Sequence, residues 1–266
     1  MRNLIDLARD IASAQCSHSD QRRRVGFQFV SSISVVGFAK NHPVSEALRG
    51  IECAQPIGYS EAKWVCEHML EATLRQHPGF FRAMSVRCGQ IGGSSTSGFF
   101  NKNEHVPFMI KSAQSLRAWP DLAGHVLWVP VDQVATVMVE LIHVDDAIED
   151  TSIPNTVYHI ENPAGRAWKD YIPVIIKELG IPADRVIPVG EWVKEVKASK
   201  LDRASNPAAL FGDFYSGYYV PLMCGMVLDS AESRTNSKTM AKMEPISDDT
   251  MKLYIDGWKK SGFLKI

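Results

Sequence analysis

Apolar positions along this chain switch between a helical and an extended period. Ala62, Cys66, Met69, Leu70 and Thr73 recur at helical spacing and Pro78-Gly79 closes the run, which predicts a buried helix opening near Gly58-Tyr59-Ser60. Upstream, Gly26-Phe27-Gln28-Phe29-Val30-Ser31-Ser32 is a short β-rich apolar run ending in hydroxyls, the profile of a buried parallel strand. Further strands are predicted at Met84 to Cys88, Val126 to Val129 and Tyr158 to Ile160. Leu4, Leu7, Ala8, Ile11 and Ala14 trace an apolar helical face, and Pro107 to Leu116 reads as another helix. Pro130 introduces a helix with Val131, Val134, Ala135, Met138 and Leu141 on its apolar side. The rest is helix-rich: Trp168 to Leu179, stopped by Gly180 and Pro182, then Glu191 to Lys200, Pro207 towards Leu222, and Asp248 to Ser261.

This pattern sets chemical groups side by side. Tyr59 and Lys63 are four apart, so they share one face near their helix start. Two unit charges about 4 Å apart interact by roughly 4 kcal/mol at an effective dielectric near 20, enough for an ammonium to fit a phenol for general acid work. The spacing is common, and a surface Tyr/Lys pair is the plainer alternative. Ser31 and Ser32 fall at the carboxyl end of their strand, where open α/β sheets gather functional side chains. A strand-end serine, a phenol and an ammonium aimed at one point can polarise and protonate a carbonyl as hydride arrives.

At these residues the chain resembles the extended short-chain dehydrogenase/reductases, and among them the terminal thioester-reductase domains of nonribosomal peptide synthetases, polyketide synthases and carboxylic acid reductases. The resemblance rests on Phe29-Val30-Ser31-Ser32-Ile33-Ser34-Val35, Gly58-Tyr59-Ser60-Glu61-Ala62-Lys63-Trp64, Val86-Arg87-Cys88-Gly89-Gln90-Ile91-Gly92-Gly93, Trp128-Val129-Pro130-Val131-Asp132 and Tyr158-His159-Ile160-Glu161-Asn162-Pro163, in family order through more than half the chain. It implies an α/β fold: the C-terminal half of a Rossmann-like doubly wound parallel sheet with a helix-rich substrate-binding subdomain. Residues 1–145 would be a partial nucleotide-binding domain and 146–266 mainly the substrate subdomain, with some strands returning to the sheet. It implies NADPH-dependent reduction of an acyl thioester carried by phosphopantetheine on a carrier protein, released as aldehyde or alcohol. Ser32, Tyr59 and Lys63 would be catalytic, and Ser31, Tyr59, Lys63, Gly89, Gln90 and Ile91 would meet the cofactor.

Two features bear on completeness. The first apolar helix begins almost at Met1 with no capping residue ahead of it, and no Gly-x-x-Gly-x-x-Gly turn lies between a strand and a helix. Gly89-Gln90-Ile91-Gly92-Gly93 is the nearest candidate, but it follows the Tyr59 helix. By resemblance, the first half of the nucleotide-binding domain is absent, which predicts a sheet lacking its leading strands, apolar faces left exposed or covered by self-association, and weak NADPH binding. Two rivals stand beside the thioester reductase: an extended reductase or epimerase of a free small molecule, and a non-catalytic remnant.

Composition narrows the field. The chain has 266 residues, 45% hydrophobic and 22% charged, as in soluble globular proteins, and its net charge of -1 gives no support for nucleic-acid or membrane-surface binding. Arg22-Arg23-Arg24 reads as a solvated loop. Five widely spaced cysteines without a paired motif, and eight histidines without ligand spacing, argue against zinc or a disulfide framework. No stretch approaches roughly 18 apolar residues and no signal peptide is present, so a soluble, cytoplasmic protein is expected. The polar segment from Gly37 to Pro56 would border the site, and Gly92 to Gly98 with Phe99 to Pro107 reads as a lid or an ordinary loop. Asp132 belongs to a helix start. Trp192, Phe211, Phe214, Tyr215, Tyr218 and Tyr219 would line an acyl channel or fill a core.

Overall fold

The computed structural model describes residues 1–15, 24–79, 81–144, 157–219 and 226–266. In chain order the principal elements are α1 (Arg2–Gln15), β1 (Val25–Ser32), α2 (Gly58–Gln76), β2 (Phe81–Cys88), α3 (His105–Leu116), α4 (Val131–Val144), β3 (Val157–Ile160), α5 (Trp168–Leu179), α6 (Val189–Ala198) and α7 (Asp248–Lys260). They divide into two units, each assembled from three stretches. One comprises Met1–Gly89, Ala135–Glu161 and Val227–Lys242; the other comprises Gln90–Val134, Asn162–Met226 and Met243–Ile266.

The first unit is built on a parallel sheet in the order β1-β2-β3, as the strand profile predicts. Its register sets Val25 opposite Phe81 and Ser32 opposite Cys88, and on the other side of β2 pairs Cys88 with Ile160. Ser32, Cys88 and Ile160 therefore form one row at the carboxyl edge. At the opposite end, Ala8 of α1, Leu74 of α2 and Phe81 of β2 make a small apolar cluster with Val25 and Phe27 against it. Ala8 and Ala12 are the buried residues of α1, whereas Leu4, Leu7 and Ile11 are exposed. Helix α2 ends at His77, whose φ of -135° and ψ of 52° leave the helical region, because the proline that follows disfavours it.

The buried stripe of α2 is displaced from the predicted one. Ser60, Glu67, Leu70 and Leu74 are buried, while Ala62 faces solvent and Cys66, Met69 and Thr73 are half-buried. The reason is electrostatic. Glu67 turns inward to meet Arg87 of β2, with Arg87 Nη2 to Glu67 Oε2 at 2.7 Å and Arg87 Nε to Glu67 Oε1 at 3.0 Å, both side chains fully buried. Arg87 Nη1 donates to the Ala47 carbonyl at 3.0 Å and lies 3.3 Å from His159 Nε2. His159 Nδ1 is 2.7 Å from the Asp229 carbonyl, which makes Nδ1 the donor and Nε2 the acceptor. Burial first, and then the Arg87 charge, push the His159 imidazole down to about 3, so it stays neutral. Glu46 extends the network, accepting from the backbone N–H of His159, Glu232 and Ser233 and from the Ser233 hydroxyl.

The second unit is an aromatic core with short strand pairs. Trp119, Trp128, Trp168, Trp192, Trp258, Tyr171, Tyr215 and Tyr254 are all buried. Some polar tips find backbone partners: Trp258 Nε1 donates to the Phe100 carbonyl at 3.0 Å and Tyr254 Oη to the Gly93 carbonyl at 2.8 Å, whereas the indole N–H groups of Trp119, Trp128 and Trp168 meet no hydrogen-bond partner among the described residues. Helices α5, α6 and α7 match the predicted spans within two residues at each end, with Gly180 capping α5 and the Ser247 hydroxyl capping α7. The predicted strand from Val126 to Val129 is broken into two short pairs with different partners, His125–Val126 against Arg166–Ala167 and Val129–Pro130 against Ile91–Gly92. The helix predicted from Pro207 becomes a 3₁₀ turn at Pro207–Phe211, a helical turn at Gly212–Phe214 and a π turn at Tyr215–Tyr219, and Gly212 and Gly217 weaken any regular α-helix there. The end of that predicted helix, residues 220–222, lies outside the described residues, as do Cys16, Arg22, Arg23 and Cys224.

Of the segment from Gly92 to Pro107, Gly92 ends a short strand and His105–Pro107 open α3, leaving Gly93 to Glu104 as a loop with buried anchor points. Gly98 has a φ of +71°, and a Cβ there would stand 2.5 Å from the Leu253 carbonyl oxygen. A Cβ on Gly93 would meet Phe100 and Tyr254, each at 2.8 Å. Asp132, predicted to serve its own helix terminus, also anchors this loop by accepting from Ser95 N–H at 2.8 Å and Ser95 Oγ at 2.6 Å. Among the described residues no helix is long and apolar enough to cross a membrane, no cluster has the composition of a metal site, and Cys53, Cys66 and Cys88 are free thiols.

Removing one member of the buried Glu67–Arg87 pair strands a charge. Arg87→Met should cost about 3–5 kcal/mol of unfolding free energy, read as a lowered urea midpoint; an unchanged midpoint would show that the pair is solvated.

Candidate functional site

The carboxyl edge of the first unit's sheet gathers most of the sequence-predicted residues. Ser32 ends β1 with φ -143° and ψ 148°, and caps the 3₁₀ turn Ile33–Val36 through its Oγ, which accepts from Ser34 N–H at 3.2 Å. Ser31 alternates to the other face of the strand. It is buried, and its Oγ donates to Glu67 Oε1 at 2.5 Å.

Tyr59 and Lys63 lie on adjacent turns of α2, as their spacing predicts. Tyr59 is 57% exposed, so its phenol is open to a substrate. Lys63 Nζ stands 5.7 Å from the Tyr59 ring centroid and 4.9 Å from that of Phe29, and donates to the Val30 carbonyl at 2.8 Å. An ammonium has three N–H donors, and that bond to β1 uses one of them. Lys63 is thus tied to the strand that carries Ser32. Beside them, burial pushes the Cys88 thiol up to about 12 against the pull of the Lys63 charge. Cys88 is therefore a neutral packing residue and no nucleophile.

Gly89 follows Cys88, its N–H donating to the Ile160 carbonyl at 2.9 Å. A Cβ at Gly89 would lie 3.3 Å from Glu161 Oε1, so the glycine leaves room for a carboxyl against the backbone. Burial pushes that Glu161 carboxyl up to about 8. Gln90 and Ile91 belong to the second unit and are engaged there. Gln90 Nε2 donates to the Ile91 carbonyl at 2.8 Å and to Glu104 Oε2 at 3.1 Å, while Ile91 pairs with Val129.

The aromatic residues divide. Trp192 and Tyr215 are buried against each other, ring centroids 5.8 Å apart, with Trp192 Nε1 on the Ala118 carbonyl and Tyr215 Oη on the His105 carbonyl. Phe211 is partly exposed against Phe108, and Phe214 packs on His105 and Tyr215. The side chains of Tyr218 and Tyr219 lie outside the described residues.

Three buried groups near the site escape a reading by motif: Glu67, Arg87 and Glu161. The sequence carries only a partial signal for the first two, and none for Glu161. Glu67 stands one turn before Leu70 and two before Leu74 on the helix, and Arg87 stands between Val86 and Cys88 in the strand.

Glu161 gives a pH test. Its folded pKa of about 8 lies above the ordinary 4.5, so an unfolded chain ionises it over a range in which the folded chain keeps it neutral. Its contribution to stability is complete below about pH 4.5 and is lost as pH rises towards 8. Glu161→Gln removes this titration. The variant's urea midpoint relative to the parent should rise from pH 5 to pH 8.5, and a gap independent of pH would place the carboxyl in a solvated setting.

Known proteins of similar sequence and fold identify the family. The family described as Male sterility protein, an NAD-binding family, matches residues 1–138. A non-reducing polyketide synthase of Aspergillus terreus is 47% identical over 266 residues, covering 99% of this chain and 10% of its own length. The chain thus spans about a tenth of that relative. Among solved structures, the terminal R domain of the myxalamid polyketide synthase–peptide synthetase pathway superposes with a TM-score of 0.75 at 22% identity, covering 92% of this chain and 61% of that one. A thiolation-reductase di-domain from an archaeal non-ribosomal peptide synthetase gives 0.68 at 15% identity, covering 98% and 52%. These structures share the α/β fold with its parallel sheet. With more than half its residues matched, this chain belongs to the Male sterility protein family of NAD-binding domains.

Proposed function

We propose that this chain carries out the reductive release of a thioester-bound acyl chain, as part of a polyketide synthase whose carrier protein presents the substrate on phosphopantetheine. The observation that carries this reading is the combination of 47% identity to a polyketide synthase across 99% of the chain with an exposed phenol beside a strand-tethered ammonium. When bound, NADPH supplies hydride to the thioester carbonyl carbon. The residues present fit a nicotinamide nucleotide: Lys63 has N–H donors beyond the one on Val30 for a ribose hydroxyl.

In this reading Tyr59 hydrogen-bonds the substrate oxygen and delivers a proton as negative charge develops there. Ser32 donates to the same oxygen once its hydroxyl turns from the Ser34 amide, a bond in which Ser32 Oγ serves only as acceptor and keeps its proton available. Lys63 holds the ribose and stabilises a phenolate at Tyr59. Collapse of the resulting hemithioacetal passes its hydroxyl proton to the departing sulfur, so pantetheine leaves as the thiol and an aldehyde remains; reduction to an alcohol would take its hydride from a second equivalent of NADPH. Within the first unit Gly89 completes the proposed cofactor contacts, and Ser31, buried on Glu67, acts only through its neighbour Ser32.

Two outcomes test the proposal in the full-length protein. Turnover of an acyl-pantetheine thioester should exceed that of free ketones, with NADPH preferred over NADH; activity on ketones alone would assign the site to free small molecules. Tyr59→Phe should lower kcat by about 10²-fold with little change in KM, the scale of a lost positioned acid. A variant with near-normal turnover would remove Tyr59 from the chemistry.

A further inference from the structure

Glu67 stands one helical turn beyond Lys63 and two beyond Tyr59, about 12 Å along the axis of α2 from the phenol. It has no route to a substrate, being fully buried. Its Oε1 nevertheless accepts from Ser31, the residue next to Ser32, and both of its oxygens are held by Arg87. Lys63 makes a second tie to the same strand at Val30. We propose that Glu67, fixed by Arg87, is a positioning residue for the reduction: it locks α2 against the end of β1, so that Tyr59 and Lys63 meet Ser32 in one fixed register. This rests on the proposed roles of those three residues and extends it to groups that touch neither substrate nor cofactor.

The physical case turns on what each contact can specify. Leu70 and Leu74 attach α2 to the sheet by apolar burial, which is non-directional and lets a helix slide or rotate at little cost. A bidentate guanidinium–carboxylate fork is directional, and sharing Glu67 Oε1 between Arg87 Nε and Ser31 Oγ fixes both the height and the rotation of the helix. Stability gives no comparable reason for the pair, because buried ion pairs are often replaced by apolar residues without loss. Catalysis does give one, since a misplacement of about 1 Å can cost roughly 10²-fold in rate.

The test separates register from folding. In the full-length protein, Glu67→Met combined with Arg87→Met should keep the urea midpoint near that of the parent. It should lower kcat on an acyl-pantetheine thioester by about 10- to 100-fold, with KM little changed. Ser31→Ala, which leaves the ion pair intact, should likewise lower kcat, and Ser31→Thr, which keeps a hydroxyl, should restore most of it. A crystal structure of the Ser31→Ala variant should show α2 displaced along β1. Parental kcat in a folded Ser31→Ala or double variant would overturn the proposal, as would an undisplaced helix. If the double variant fails to fold, the Ser31 pair decides. Full activity in Tyr59→Phe would sink the catalytic reading alone, and the position of α2 in the crystal would then decide the positioning claim by itself.

Discussion

The structure of the first unit depends on a guanidinium held where water cannot reach it. A buried arginine is tolerable only when its N–H groups are satisfied, and Arg87 gives Nε and Nη2 to Glu67 and Nη1 to the Ala47 carbonyl. Meeting that demand dictates much else. Glu67 must face inward, so α2 presents a charged residue to the sheet; His159 must remain neutral, so its Nδ1–H seeks the Asp229 carbonyl. Strands β1, β2 and β3, helix α2 and the segments around Glu46 and Ser233 are thereby joined through polar contacts rather than by apolar packing alone. Their cost is rigidity, and their product is a single arrangement of the sheet's carboxyl edge.

The second unit solves the same problem by other means. Its core is aromatic; Trp258 and Tyr171 place their polar tips on the Phe100 and Ile246 carbonyls, while Trp119, Trp128 and Trp168 bury indole N–H groups with no hydrogen-bond partner among the described residues. Directionality there comes from ring shape, with Trp128 and Trp168 edge-to-face at 5.5 Å. A unit organised in this way tolerates short, irregular strands, because little of its order depends on a continuous ladder.

Local signals carried a good deal of this. The strand to Ser32, the helix from Gly58, the strand to Cys88 and the helices at Trp168 and Asp248 follow from periodicity, caps and breakers that act within a few residues. The pairing of Tyr59 with Lys63 was legible for the same reason. The inward rotation of α2 was not, because Glu67 is buried only on account of Arg87, twenty residues on and in a different element. Ser31 was read as a cofactor contact from its place at a strand end; its bond to Glu67 depends on that same distant partner. The elevated Glu161 carboxyl likewise reflects three-dimensional burial that no neighbouring residue announces. By sequence Trp192 and Tyr215 suit a channel lining, with core the commoner role of such aromatics, and both are buried.

The loop from Gly93 to Glu104 bears on how such a unit can diversify. Its glycines at 93 and 98 are closed against Tyr254, Phe100 and the Leu253 backbone and Ser95 is tied to Asp132, while Thr96 and Ser97 form an outward-facing tip. Variation among descendants of this chain is thus channelled: side chains can be exchanged at the tip while its two glycine feet stay fixed. The segment can change what it displays without changing where it stands.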